Sequence, residues 1–438
     1  MSFERDKGDE LFTKYKFKQA LHYYLKAHTI FFTKGMEEEE RRIKIKIARC
    51  LSLVGRKKEA IEILEDLYFQ TRDQLLLQEN IEAVIELAAT YILYGEYTLG
   101  LEWLDSIEQE DIDVRANIQT YFRYWQLRAQ IMIIYHNLDE AKELISTLKD
   151  KAKEFGNEVY YHELNVLEAQ IDAEKGDVMT AFSKLDKALK YFEETPFERS
   201  AFEKKIILSQ FTEEPSTTVE YIDSYIQKYG PEDIQPLALN AYRIELELRA
   251  EQINPEEAIE KGERLLSTVE SIENYDLASK LYRLLAGLNQ TVGQFKDATH
   301  YYMKAKHYFI SENLEYEEAL TSFIFLPALI QNKSRSMLRD FSGILMNFDI
   351  DKELEDLDIE EEMKRIMDIF ENYGDIVKAK MTKFFYLSYQ ITQLNLNTNV
   401  KSLLQGIEEI YQWMIEHGEL AYSEMIGNFL DLFHHFNL

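Results

Sequence analysis

One cysteine, Cys50, stands alone among 438 residues. The chain therefore can form neither an internal disulfide nor a thiolate metal cluster. Proline is also scarce, with 6, and glycine with 16. A β-sandwich or barrel of this length would spend far more of both on its turns. No run of 18 uncharged apolar residues occurs, so no helix is expected to span a membrane. The N-terminus, Met1-Ser2-Phe3-Glu4-Arg5-Asp6, lacks a basic and then apolar leader, and the expected location is cytoplasmic. Positive charge is in deficit, with 50 Lys and Arg against 79 Asp and Glu, a net charge of −29. A surface that binds nucleic acid or an anionic membrane in bulk needs the opposite balance, so neither is an expected partner.

Apolar residues, at 46%, and aromatic residues, at 13%, are abundant enough for a large core and argue against disorder. They recur with a long period. Small residues sit at Ala20, Ala60, Gly100, Ala141, Ala181, Ala258 and Ala298, at gaps of 40, 40, 41, 40, 77 and 40. The gap of 77 is close to two periods and places a degenerate copy near Val219. Twelve residues before most of them lies another small residue: Gly8, Ala48, Ala88, Ala129, Ala169 and Ala286. Apolar residues at three- and four-residue spacing flank a Gly or Asn turn, so each period predicts two helices and a turn. Two antiparallel helices approach closely only where side chains are small. A hairpin cannot bury its outer face alone, and stacking on neighbours completes the core.

Seven registered copies of this pattern resemble the tetratricopeptide repeat (TPR). The first carries Gly8, Phe17, Ala20, Tyr24 and Ala27; another carries Ala286, Gly293, Phe295, Ala298, Tyr302 and Ala305. The family's unit is about 34 residues, so each helix here is expected to be longer. The resemblance implies an all-α fold, a right-handed α-solenoid of about eight recognisable hairpins and two or three degenerate ones. Residues 1–192 read as a regular array and 193–236 as a degenerate, proline-bearing bend with Pro196, Pro215, Pro231 and Pro236. Residues 237–310 resume the array, and 311–438 read as further TPR-like hairpins, with turns at Gly374-Asp375 and Gly418-Glu419. The length of the repeat is similar to that of bacterial peptide-pheromone-sensing TPR regulators. With the first repeat already in register at Gly8, no counterpart of their N-terminal output module is expected.

No phosphate-cradling glycine loop, HExxH motif or ligand cluster appears, so no cofactor, metal or reaction is assigned. The TPR register instead implies an inner wall built by the first helix of each hairpin. Carried over residue by residue, it places Lys46, Arg49, Arg123, Gln126, Gln130, Gln170, Lys204, Lys205, Asn240, Arg243, Lys280 and Arg283 on that wall. Such side chains hydrogen-bond a peptide backbone and pair with carboxylates; the alternative is solvated helix residues paired with nearby acids. At the C-terminus Ile426, Phe429, Leu430, Phe433 and Phe436 form a broad apolar stripe. Either the preceding helix around Trp413 covers it, or it mediates self-association as a homodimer. The functional expectation is a non-catalytic scaffold binding protein or peptide. A peptide-responsive regulator working through superhelix pitch is the alternative, and an enzyme with a site hidden in 311–438 is the remaining one.

Overall fold

The computed structural model describes residues 2–108, 111–112, 115, 117–193, 195, 197–209, 213–229, 235–342, 357–393 and 400–434. Along them run 21 helices. What joins the helices explains the period. After α1 (Phe3–Thr13) the chain turns at Tyr15, after α2 (Phe17–Thr33) at Gly35 and after α3 (Glu37–Leu53) at Gly55. After α4 (Lys57–Asp73) it turns at Leu75 and after α5 (Leu77–Leu93) at Gly95. Each of these residues lies in the left-handed region, where the following amides fold back onto the last carbonyls of the helix. Gly95 N–H donates to Ile92 O, and Glu96 N–H to Tyr91 O. The next helix starts at once. Two 17-residue helices and two three-residue turns therefore make up the 40-residue repeat.

The pattern loosens in places. Helix α6 (Tyr97–Asp105) ends two residues before Ile107, which is nevertheless buried, as is Ile112. Asn117 then caps α7 (Ile118–Ile134), accepting from the amides of Gln119 and Thr120. Regular helices follow: α8 (Leu138–Glu154), α9 (Glu158–Glu174) and α10 (Val178–Phe192). The proline-bearing stretch contributes the shorter α11 (Glu198–Ser209) and α12 (Pro215–Tyr229), of 12 and 15 residues. Then come α13 (Gln235–Arg249) and α14 (Pro255–Ser271), whose start is fixed by the Asn254 cap and Pro255.

The small residues do what close approach requires. Ala20, Ala48, Ala60, Ala88, Ala129, Ala141, Ala169 and Ala181 are completely buried. A methyl group at Gly8 would run into the Tyr24 ring, and at Gly100 it would stand 2.8 Å from Ile92 Cγ1. Where the packed faces carry hydroxyls, those pair. Ser52 and Thr90 lie 2.9 Å apart, and Tyr94 donates to Ser52 O at 2.7 Å.

The chain falls into two compact units, Met1–Leu281 and Tyr282–Leu438, with the division inside α15 (Tyr275–Thr291). The second unit continues with α16 (Phe295–Ser311) and α17 (Glu315–Ser342). Two hairpins close it. The first pairs α18 (Ile359–Asn372) with α19 (Ile376–Thr392) across Gly374, and the second pairs α20 (Val400–Glu416) with α21 (Leu420–His434) across Gly418. Residues 349–362 are rich in Asp and Glu, and only 357–362 of them are described. There Asp358 caps α18 by accepting from the amides of Glu360 and Glu361.

The C-terminal stripe finds cover within the chain. Ile426 is fully buried and Leu430 nearly so, packed with Met381, Phe384, Ile407, Ile410 and Met414. Phe429 meets the Phe384 ring edge-on at 5.4 Å. The side chain of Phe433 and the whole of Phe436 lie outside the described residues.

Candidate binding site on the inner wall

In the first unit the first helices of successive hairpins pack on one another: α3 on α5, α5 on α7, α7 on α9 and α9 on α11. Helices drawn together in this way form the inner wall of a solenoid. Residues 37 apart on that wall face each other across neighbouring helices. Asp9 Oδ1 meets Lys46 Nζ at 2.5 Å. Arg49 grips Glu86 with two bonds, Nη2–Oε1 at 2.5 Å and Nε–Oε2 at 3.1 Å. Gln126 Nε2 donates to Glu163 Oε2 at 3.3 Å.

This pairing ties several of the cations that the register places on the wall to nearby acids. Arg49 is held in its charged form by Glu86. Burial alone would raise the Glu86 carboxyl, but the charges of Arg49 and Arg123 and the Arg49 hydrogen bonds hold it below the usual range. Further along, Lys205 pairs with Asp186 at 2.7 Å. Arg243 is committed to Asp223 at 2.7 Å and Glu247 at 2.6 Å, and Glu247 also takes Lys261 at 2.8 Å. Lys280 pairs with Asp276 on its own helix at 2.8 Å. In the second unit Arg283 pairs with Glu317 at 2.5 Å. Acids on neighbouring helices, or one turn away on the same helix, thus neutralise these cations, and the sequence register did not single them out. For Lys46 with Asp9 and Arg49 with Glu86 the signal is the repeated spacing of 37.

What is left is a smaller set. Arg123 and Gln130 on α7 are exposed, and Gln170 on α9, Lys204 on α11 and Asn240 on α13 are half-exposed. None of these five makes a side-chain hydrogen bond or ion pair to another described residue. Arg123 stands one helix beyond Glu86, close enough for its charge to favour the ionised Glu86, while Arg49 already holds that carboxylate. Glu163 lies on its other side. Burial pushes that carboxyl up, against the Gln126 hydrogen bond and the Arg123 charge. Arg123, Gln130 and Gln170 therefore present an uncommitted guanidinium and two uncommitted amides on neighbouring helices.

Tyr24, Tyr160 and Tyr302 serve packing. Tyr24 and Tyr302 are buried, and Tyr160 stacks on Phe122 at 4.4 Å. Among the described residues no cluster of His, Cys, Asp or Glu could hold a metal ion. No described helix is long and apolar enough to cross a membrane.

No protein-family model and no curated protein matches this chain. Solved structures do match. A Rap protein complexed with competence and sporulation factor aligns with a TM-score of 0.51 at 12% identity, over 86% of this chain and 99% of that one. The chain folds as a TPR-type solenoid. A signal-transduction ATPase with a tetratricopeptide repeat sensor from Pyrococcus horikoshii aligns with a TM-score of 0.43 at 13% identity, over 93% of this chain and 55% of that one. Human IFIT1 with a capped oligonucleotide, m7Gppp-AAAA, aligns with a TM-score of 0.40 at 14% identity, over 84% of this chain and 80% of that one. At these identities the likeness is one of fold.

Proposed function

We propose that the chain is a non-catalytic scaffold that takes an extended peptide, free or within a partner protein, along the inner wall of its first unit. The observation that carries this is the set Arg123, Gln130 and Gln170, uncommitted donors on the adjacent wall helices α7 and α9, beyond the ion pairs that Asp9 and Glu86 already satisfy. Side-chain amides can bond a peptide's N–H and C=O together, and a lone guanidinium selects one carboxylate. The groove thus suits a peptide with a single well-placed acidic group, not a polyanion, because the other wall cations named above, Lys204 on α11 apart, are paired with acids. A hydrogen bond to a charged group contributes about 1.5–3 kcal/mol, so loss of Arg123 should weaken such a peptide about tenfold or more.

Selection from a display library of random linear peptides tests this. Enriched peptides should share one acidic residue or a free C-terminus, and Arg123→Glu should abolish their capture while Gln130→Ala/Gln170→Ala weakens it. Equal capture by all three proteins defeats the reading. A regulator that answers to a peptide is the second reading. It is favoured by the Rap structure, which is a complex with competence and sporulation factor.

A further inference from the structure

In the first unit two junctions join segments about 180 to 215 residues apart. At one, Lys58 Nζ donates to Glu273 Oε1 at 2.7 Å, and Asn274 Nδ2 to Leu93 O at 3.3 Å. Beside them Tyr275 N–H donates to Tyr94 O at 2.9 Å. The buried Lys57 pairs with Glu96 and lies 5.4 Å from the Tyr94 ring and 5.0 Å from the Tyr275 ring. At the other junction Tyr15 meets Tyr229 edge-on at 5.1 Å. The buried Arg199 guanidinium lies 4.9 Å from the Tyr15 ring, 5.8 Å from Phe17 and 5.7 Å from Tyr225, and its Nε donates to Tyr225 Oη at 2.8 Å.

The two junctions obey one rule. The turn between α1 and α2 meets α11 and α12, five hairpins on. The starts of α4 and α6 meet the turn between α14 and α15, again about five hairpins on. In both, the edge of the solenoid where first helices pass into second helices touches the opposite edge one turn later. Stacking alone sets a small rotation per repeat; contact between successive turns adds a constraint that nearest-neighbour stacking lacks.

We propose that these two junctions form a clasp that holds the pitch of the first unit's solenoid. The wall carrying Lys46, Arg49, Glu86 and Arg123 lies within the turn so closed, and its spacing follows the clasp. The chemistry at the two points differs. Lys58–Glu273 lies at the surface, and such pairs contribute little and weaken with salt. The Arg199 cluster is buried and aromatic, and salt screens it far less.

Spin labels at Thr13→Cys and Gln227→Cys, both exposed and flanking the second junction, read the distance between turns. Cys50 is buried and takes no label. Pulsed dipolar spectroscopy should give one narrow distance peak. Tyr15→Ser combined with Lys58→Glu should move that peak to longer distance and erase its narrowness, with an unchanged helical circular-dichroism signal and a larger scattering radius. A peak that stays narrow in this variant overturns the proposal. Lys58→Glu alone is a surface change that leaves the fold intact. A second label pair at Gln70→Cys and Glu270→Cys should register it, and Lys58→Glu/Glu273→Lys should restore the parent peak. Failure of the swap to restore it would remove the polar junction from the clasp. None of these readouts depends on a peptide, so they stand or fall apart from the binding proposal.

Discussion

The main-chain amide of Tyr275 donates to the carbonyl of Tyr94 at 2.9 Å, joining the start of α15 to the turn before α6. This hydrogen bond joins turns of main chain that are 181 residues apart in sequence, as does the one from Asn274 to Leu93. The small residues within the intervening hairpins, the turns that join them and the charges that cross between them can each be tested separately.

Ala141 is completely buried between α8 and its neighbours, in a cluster with Phe122, Ile145 and Leu164. Overpacking such a site costs about 1–3 kcal/mol. Ala141→Leu should lower the thermal midpoint while the chain stays helical, as differential scanning calorimetry with circular dichroism would record. An unchanged midpoint would mean that the crossing has room to spare.

Leu75 turns the chain from α4 to α5 at φ 58°, with 89% of its surface exposed. A side chain in the left-handed region costs roughly 1–2 kcal/mol, and glycine escapes this at some expense in unfolded-chain entropy. Leu75→Gly should therefore raise stability by about 0.5–1 kcal/mol, seen as a higher urea midpoint at constant slope. A lower midpoint would show that the leucine earns its place through contacts.

In the second unit Lys306, Glu318, Glu362 and Arg365 form a closed network. Lys306 Nζ lies 2.6 Å from Glu362 and 3.0 Å from Glu318, and Arg365 reaches Glu318 at 2.6 Å and Glu362 at 3.0 Å. Burial opposes ionisation of Glu362, but the Arg365 hydrogen bonds and the Lys306 charge prevail and hold it at about 2. Its folded value is depressed, so the stabilisation is complete above the ordinary glutamate value and is lost as pH falls towards 2. Melting midpoints measured from pH 5 to 2 should fall steeply, and Glu362→Gln should start lower at neutral pH and flatten that fall. Parallel curves for the two proteins would assign the acid transition elsewhere.

Burial pushes the Cys50 thiol up to about 12, so thiolate is scarce at pH 8. Reaction with a thiol-specific disulfide reagent should be negligible in the folded chain and prompt in denaturant. The rate across a urea series should then report unfolding of the α2–α4 region.

Ile426 is fully buried in a cluster built by α19, α20 and α21. Ile426→Ala should cost about 2–5 kcal/mol. Light scattering on the parent chain tests self-association separately, because Ile426 and Leu430 already spend their apolar surface inside the chain.

The period was legible because it is local. Small residues such as Ala20, Ala60 and Ala141 recur wherever a hairpin must close, and that requirement repeats every 40 residues. The turns at Gly374 and Gly418 were legible for the same reason. The inner wall was legible only in part. Register places Arg49 and Arg123 on one surface, but which of them stays uncommitted depends on Glu86 and Asp9, acids on neighbouring helices among 79 in the chain. The terminal stripe read as a possible interface because nothing local says that Met381 and Phe384 cover Ile426. The clasp left no mark in the repeat. Tyr94 and Tyr275, or Tyr15 and Arg199, meet only because small rotations between hairpins accumulate over about five repeats. Helix and turn follow from residues a few positions apart, whereas that accumulated rotation belongs to the packed solenoid as a whole.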